Sequence, residues 1–175
     1  MNEEPQASRT ARAWLAVVLM APLLAVLFLP SLALVHLFVD TSNSWADLAY
    51  LVTGALAYAV GVIVVLPVTA HTLGRVVDAR TSEIGTVRAA GVFGLLAGAM
   101  GSVAAVPMTL EGNVGLAPMV TYVAAPALAA FVTRLLLPVA LAHRGVRVTA
   151  YVLAALAMAP IAAYVATVGL SGVAF

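Results

Sequence analysis

The feature that most constrains the fold is a series of long, uninterrupted apolar stretches. A helix that crosses a bilayer needs about 20 consecutive, mostly apolar residues, and five segments of this chain reach that length. They are residues 14–39, 46–72, 89–110, 116–142 and 148–170. Strands of a membrane barrel alternate apolar and polar residues, whereas these stretches are apolar throughout. The sequence therefore predicts an all-α polytopic bundle of five transmembrane helices.

Composition supports this class and excludes several others. Of 175 residues, 64% are hydrophobic and 9% are charged, compared with about 25% charged residues in soluble domains. The chain has no cysteine, which excludes disulfides and cysteine-ligated metals. A net charge of +1 is too small to neutralise several phosphates, so nucleic acid is not an expected partner. All eight basic residues are arginine, which we interpret as the codon bias of a GC-rich bacterial genome.

The arginines predict the orientation of the bundle. Basic residues concentrate in the cytoplasmic loops of membrane proteins, and alternating the five helices places seven arginines on one side, namely Arg9, Arg12, Arg75, Arg80, Arg88, Arg144 and Arg147. The opposite connectors, residues 40–45 and 111–115, are short. The first apolar stretch is too long for a cleaved signal, and residues 1–11 are expected to form a disordered cytoplasmic tail before a transmembrane domain over 12–175. We therefore expect a multi-pass protein of the bacterial plasma membrane, with a cytoplasmic N-terminus and an external C-terminus.

The connector between the second and third predicted helices carries the most specific motif. Residues 80–91 read Arg-Thr-Ser-Glu-Ile-Gly-Thr-Val-Arg-Ala-Ala-Gly. This string resembles the R-x-x-E-I-G-x-x-R-A-x-G signature of FtsX-like, MacB-type ABC transporter permeases, in which it lies on the cytoplasmic face beside the ATPase. The resemblance implies a partner-coupling role for the matching residues, which are Arg80, Glu83, Ile84, Gly85, Arg88, Ala89 and Gly91.

The resemblance covers about residues 65–110 and implies a permease-type subunit of an ABC transporter. Such a subunit couples a separate ATPase to helix rearrangement, for export or for mechanotransmission in the envelope. Residues 83–88 would then dock the partner, with Ile84 as the apolar anchor and the charges setting the register. The alternative is a solvated loop in which Arg75 pairs with Asp78 and Arg80 pairs with Glu83 at helical spacing.

Small residues follow one face of the third predicted helix. Gly94, Gly98 and Gly101 are spaced by four and three residues, which places them on a common face where a neighbouring backbone can approach closely. We expect these glycines to mediate helix packing and the third helix to be the central element of the bundle.

Arg134 is the only charged residue well inside a predicted span, and an intramembrane charge is a candidate functional site. No acid lies at a matching depth in the predicted spans. The sequence leaves open whether the guanidinium snorkels to the headgroups, forms a structural pair, or contacts a substrate or lipid. Every predicted helix also contains proline, which is found in broken transport helices and in ordinary membrane helices. The prolines in the spans include Pro22, Pro30, Pro67, Pro107, Pro126, Pro138 and Pro160.

No catalytic or phosphate-binding motif is present, and the carboxylates are divided between the two sides of the membrane. We therefore expect no enzyme activity, no cofactor and no metal site. Besides the ATPase and the bilayer, a homo- or hetero-oligomeric partner is compatible with the sequence. Two other functions remain open. The chain could be a non-catalytic accessory or scaffold subunit of a larger membrane complex, or a small solute-binding membrane module that uses Arg134 and the proline breaks.

Overall fold

The structure of the protein, a computed structural model, describes residues 6–38, 56, 58–81, 83–111 and 117–171, and their regular secondary structure is entirely helical. The long helices are α1 (Gln6–Phe38), α2 (Tyr58–Thr81), α3 (Thr86–Glu111), α4 (Val120–Ala142) and α5 (Arg144–Ser171). A helix satisfies its backbone polar groups within one segment, as a lipid environment requires. The all-α prediction is confirmed.

Within the described residues, four helices are long and apolar enough to cross a membrane. Their apolar windows are Thr10–Ser31, Tyr58–Thr81, Thr86–Val103 and Val120–Ala142. Helix α5 packs against α1 and α4. The predicted outer connectors at 40–45 and 112–115, and the first part of the predicted second span at 46–55, lie outside the described residues.

Four helices extend beyond their predicted bounds, α3 and α5 by a few residues and α1 and α2 by more. The described part of the predicted tail is helical, because α1 begins at Gln6. Helix α2 continues to Thr81, although the apolar stretch that predicted it ends at Thr72. The added turns include Asp78, so this acid belongs to the helix and lies against the bundle.

Two of the spans contain widened, π-helical turns. They lie at Gly61–Val65 and Ala70–Gly74 in α2 and at Val120–Ala124 in α4. The first and the third each end two residues before a proline, Pro67 and Pro126. A proline ring clashes with the carbonyl four residues earlier and donates no hydrogen bond, and a wider turn relieves both constraints.

The glycine face of α3 packs against α4. A methyl group added at Gly94 would lie 3.0 Å from the Ala127 carbonyl oxygen, and one added at Gly101 would overlap the Tyr122 carbonyl oxygen. Helix α4 also packs against α1 and α5, and a larger share of its apolar window is buried than of that of α3. The central helix of the described bundle is therefore α4. The prediction that it would be α3 is wrong. The glycines of α3 allow α4 to pack closely against it, but α4 is the helix that has neighbours on three sides, namely α1, α3 and α5.

Candidate functional site

A partly open cavity of about 730 Å³ lies between α1, α2, α3 and α4. Three aromatic rings line the end of the cavity farther from the 83–85 connector. The Phe28 ring is stacked on Tyr58, with centroids 6.0 Å apart, and meets Tyr122 edge-on at 5.3 Å. From there to the other end the wall is mostly apolar, with Leu24 and Leu66 among its residues.

A cluster of charged residues lines the opposite end of the cavity. The Arg134 guanidinium contacts one carboxylate oxygen of Asp78, and Arg12 Nη1 lies 3.5 Å from the other oxygen. These residues come from α4, α2 and α1, so a single carboxylate joins three helices. The Asp78 and Arg134 side chains are 24% and 16% exposed, and pairing is the usual condition for burying charges to this extent.

The fourth helix around the cavity also contacts this cluster. The Arg134 guanidinium carbon lies 5.0 Å from the centre of the Phe93 ring of α3, within the range of a cation–π interaction. The expectation that no acid matches the depth of Arg134 is wrong. It followed from ending the second helix at Thr72, which assigned Asp78 to a solvated loop. The proposed Arg75–Asp78 pair is likewise replaced, because Asp78 pairs with Arg12 and Arg134.

A signal for the longer helix was present in the sequence. After Gly74, the segment Arg75–Thr81 contains no proline or glycine, so nothing in it favours a break. The prediction ended the helix where the apolar stretch ended, and for that reason it placed the charged residue Asp78 in a loop. Spacing could not have identified its partners, which lie 66 and 56 positions away in the sequence.

Thr133 is the second site residue that the sequence did not indicate. Its side chain is 4% exposed, lines the cavity and precedes Arg134 on α4. Its hydroxyl has no hydrogen-bond partner among the described residues. Buried hydroxyls are usually hydrogen-bonded, so Thr133 is an exception at the wall of the cavity.

The residues of the family-like motif lie at the same end of the bundle. Arg80, Glu83 and Arg88 are exposed, and Ile84 is 39% exposed. Ile84 donates its backbone N–H to the Thr81 carbonyl over 3.2 Å, which closes a turn between α2 and α3.

Three other motif residues have structural roles in this turn and in the start of α3. Gly85 has a φ of 84°, a conformation that residues with a Cβ rarely adopt. Its carbonyl accepts a hydrogen bond of 3.0 Å from Ala89. Ala89 is only 2% exposed, so it packs into the bundle instead of joining an accessible surface. A methyl group added at Gly91 would have no neighbour within 4 Å.

A smaller cavity of about 210 Å³ lies between the motif and the charged cluster. Its wall includes Thr81, Gly85 and Ala89 from the turn and the start of α3, and Arg12 and Arg134 from the cluster. Among the residues that the structure describes, no group of acids and histidines could hold a metal ion. The chemistry of this end is therefore that of charged side chains beside an apolar cavity.

No protein-family model, curated protein or solved structure matches the chain. The function is therefore inferred from the geometry of this chain.

Proposed function

We propose that the chain is a non-catalytic, permease-type subunit of an ABC transporter that couples a separate ATPase to helix rearrangement. The observation that carries this proposal is the exposed turn between α2 and α3. It presents Ile84 together with Val87, which is 67% exposed, between Glu83 and Arg88. An apolar contact framed by opposite charges is the composition expected of a docking surface.

The packing around this turn supports a coupling role. Glu83 follows Asp78 by five residues, and Asp78 is tied by ion pairs to α1 and α4. On its other side the turn leads directly into α3. A force applied to Ile84 would therefore reach all four helices around the cavity, because closely packed helices move as rigid bodies.

The proposal includes five spans in a bacterial plasma membrane, with the N-terminus inside and the C-terminus outside. Its support is the arginine asymmetry, together with the contact between Trp14 and His71. Their rings meet edge-on with centroids 5.6 Å apart, toward the ends of α1 and α2 that carry Arg12 and Arg75. Tryptophan is enriched where a helix leaves the bilayer.

The test is co-purification of an ATPase subunit with the full-length protein from its native membrane. We expect Glu83→Lys combined with Arg88→Glu to remove the ATPase from the purified fraction, because like charges would then face each other across the docked surface. Ile84→Ser should weaken the association through loss of the apolar anchor. Arg144→Gln is the control, since Arg144 is exposed at the start of α5 and away from the α2–α3 turn. Membrane yield should be equal in all variants, and full recovery of the ATPase with the double variant would refute the proposal and favour an accessory or scaffold role.

A second candidate function is a solute-binding membrane module, which the cavity favours. Its volume lies within the range of small-molecule sites, which are mostly apolar with a few well-placed polar groups. Arg134, proposed from sequence as an intramembrane site, lines this cavity. The two functions are compatible, because the cavity and the exposed turn lie on opposite sides of the charged cluster.

A further inference from the structure

The shape of the large cavity restricts what it can hold. Along α1 its wall runs from Arg12 to Phe28, a helical rise of about 24 Å. The cavity is thus a slot elongated along α1, which suits an extended chain better than a compact solute.

The charges of the slot are confined to one end. Arg12, Arg75 and Arg134 line it there together with Asp78, so three positive charges face one negative charge. Arg75 has no ion-pair partner among the described residues, since the carboxylate of Asp78 is shared by Arg12 and Arg134. Counted over the described residues that line this end, the formal charge is +2, which favours an anion.

A hydrogen-bond donor without a partner lies beside these charges. The Thr133 hydroxyl is buried, its residue is among those that line the slot, and no described residue bonds to this hydroxyl. Leaving such a group unpaired costs free energy that a ligand oxygen would recover. The donor thus points to a ligand with an oxygen acceptor close to the arginines.

We propose that this cavity binds an amphiphile with an extended acyl chain and an anionic phosphate or carboxylate headgroup. The chain lies along the apolar wall toward Phe28, and the headgroup lies between Arg75 and Arg134 with one oxygen accepting from Thr133. The smaller cavity, which shares Arg12 and Arg134 with the slot, gives a larger headgroup room to extend toward the α2–α3 turn. This proposal rests on the second candidate function, the solute-binding membrane module. It names the chemical class of the ligand that such a module would bind.

The test uses the full-length protein in mild detergent and measures retained lipid by native mass spectrometry. The probes are phosphatidylglycerol and phosphatidylcholine with identical acyl chains, and palmitate and hexadecanol as single-chain molecules. We expect the wild type to retain phosphatidylglycerol at least five-fold more than phosphatidylcholine, or palmitate at least five-fold more than hexadecanol. The pair with the larger ratio shows whether the source is a membrane phospholipid or a free fatty acid.

Three variants connect retention to the cavity. Gly61→Leu should abolish it by filling the slot, because Gly61 lines the cavity and an added Cβ meets no atom within 4 Å. Thr133→Val keeps the shape and should lower retention about 2- to 10-fold through loss of one hydrogen bond. Arg75→Gln should reduce the preference for the anionic headgroup.

The matched controls are Gly145→Leu and Arg144→Gln, since neither residue lines either cavity and Gly145 also has open space at its Cβ position. Both should retain lipid as the wild type does. Equal retention of charged and neutral probes by the wild type would overturn the proposal. Undiminished retention by both Gly61→Leu and Thr133→Val, with unchanged melting temperatures, would overturn it as well. No ATPase is present in this assay, so its result is independent of the coupling proposal.

Discussion

Arg134 and Asp78 form an ion pair that joins the fourth and second membrane helices where the central cavity ends. Arg12 of the first helix contacts the other carboxylate oxygen. The two arginines are separated by more than a hundred residues in sequence, yet they meet at one acid. This contact fixes the mutual position of three helices at one end of the bundle.

We expect Asp78→Asn to lower the free energy of unfolding by about 2 kcal/mol or more, because it removes the carboxylate that pairs with the partly buried Arg134 guanidinium. Arg134→Gln should have a similar effect, and the double variant should cost less than the sum of the two. Thermal unfolding in detergent gives these values as a double-mutant cycle. A coupling free energy near zero would mean that the two side chains stabilise the bundle independently.

Gly101→Ala should destabilise the bundle far more than Gly91→Ala. The methyl group at position 101 would overlap the Tyr122 carbonyl oxygen, whereas at position 91 it meets nothing within 4 Å. Forcing α3 and α4 apart is expected to cost about 1–3 kcal/mol, while alanine in an uncrowded helical position is neutral or favourable. Melting temperatures of the two variants provide the comparison, and equal values would contradict close packing at Gly101.

Gly85→Ala tests the turn independently of any partner. Its left-handed φ is expected to cost a residue with a Cβ about 1–2 kcal/mol. The control is Gly145→Ala, at a glycine for which no positive φ is found. We expect a lower melting temperature for Gly85→Ala alone. An unchanged value would indicate that the turn relaxes without loss of stability.

The orientation of the chain can be measured with reporter fusions. A reporter inserted after Glu83 should be active in the cytoplasm, and one placed after Phe175 should be active outside, as the arginine distribution predicts. A fusion at the N-terminus should agree with the first of these. Activity of the Glu83 and Phe175 reporters on the same side would eliminate a five-span arrangement.

The helical class and the approximate locations of four apolar helices could be predicted because both follow from local properties, namely run length and hydropathy. The charged cluster could not be predicted, because it depends on the register at which α1, α2 and α4 pack. Within its own segment Arg134 had no acid to pair with, and Asp78 had Arg75 as its nearest partner at helical spacing. The burial of Thr133 could not be predicted either. In a helix made almost entirely of apolar residues, the sequence has no periodic pattern that shows which face turns inward.

The π-helical turns have a consequence for how this sequence tolerates length changes. Each residue of an α-helix advances the chain by about 100° around the axis, and a widened turn accommodates one additional residue. Helix α2 contains two such turns between Tyr58 and Asp78. Deleting one residue from either turn would convert it to a regular α-helical turn and leave Asp78 facing Arg134. Deleting one residue from the regular part of the helix, at Arg75–Val77, would instead rotate Asp78 by about 100° away from Arg134. Between the aromatic end and the acid, this helix therefore tolerates the loss of a residue at its widened turns and not in its regular part.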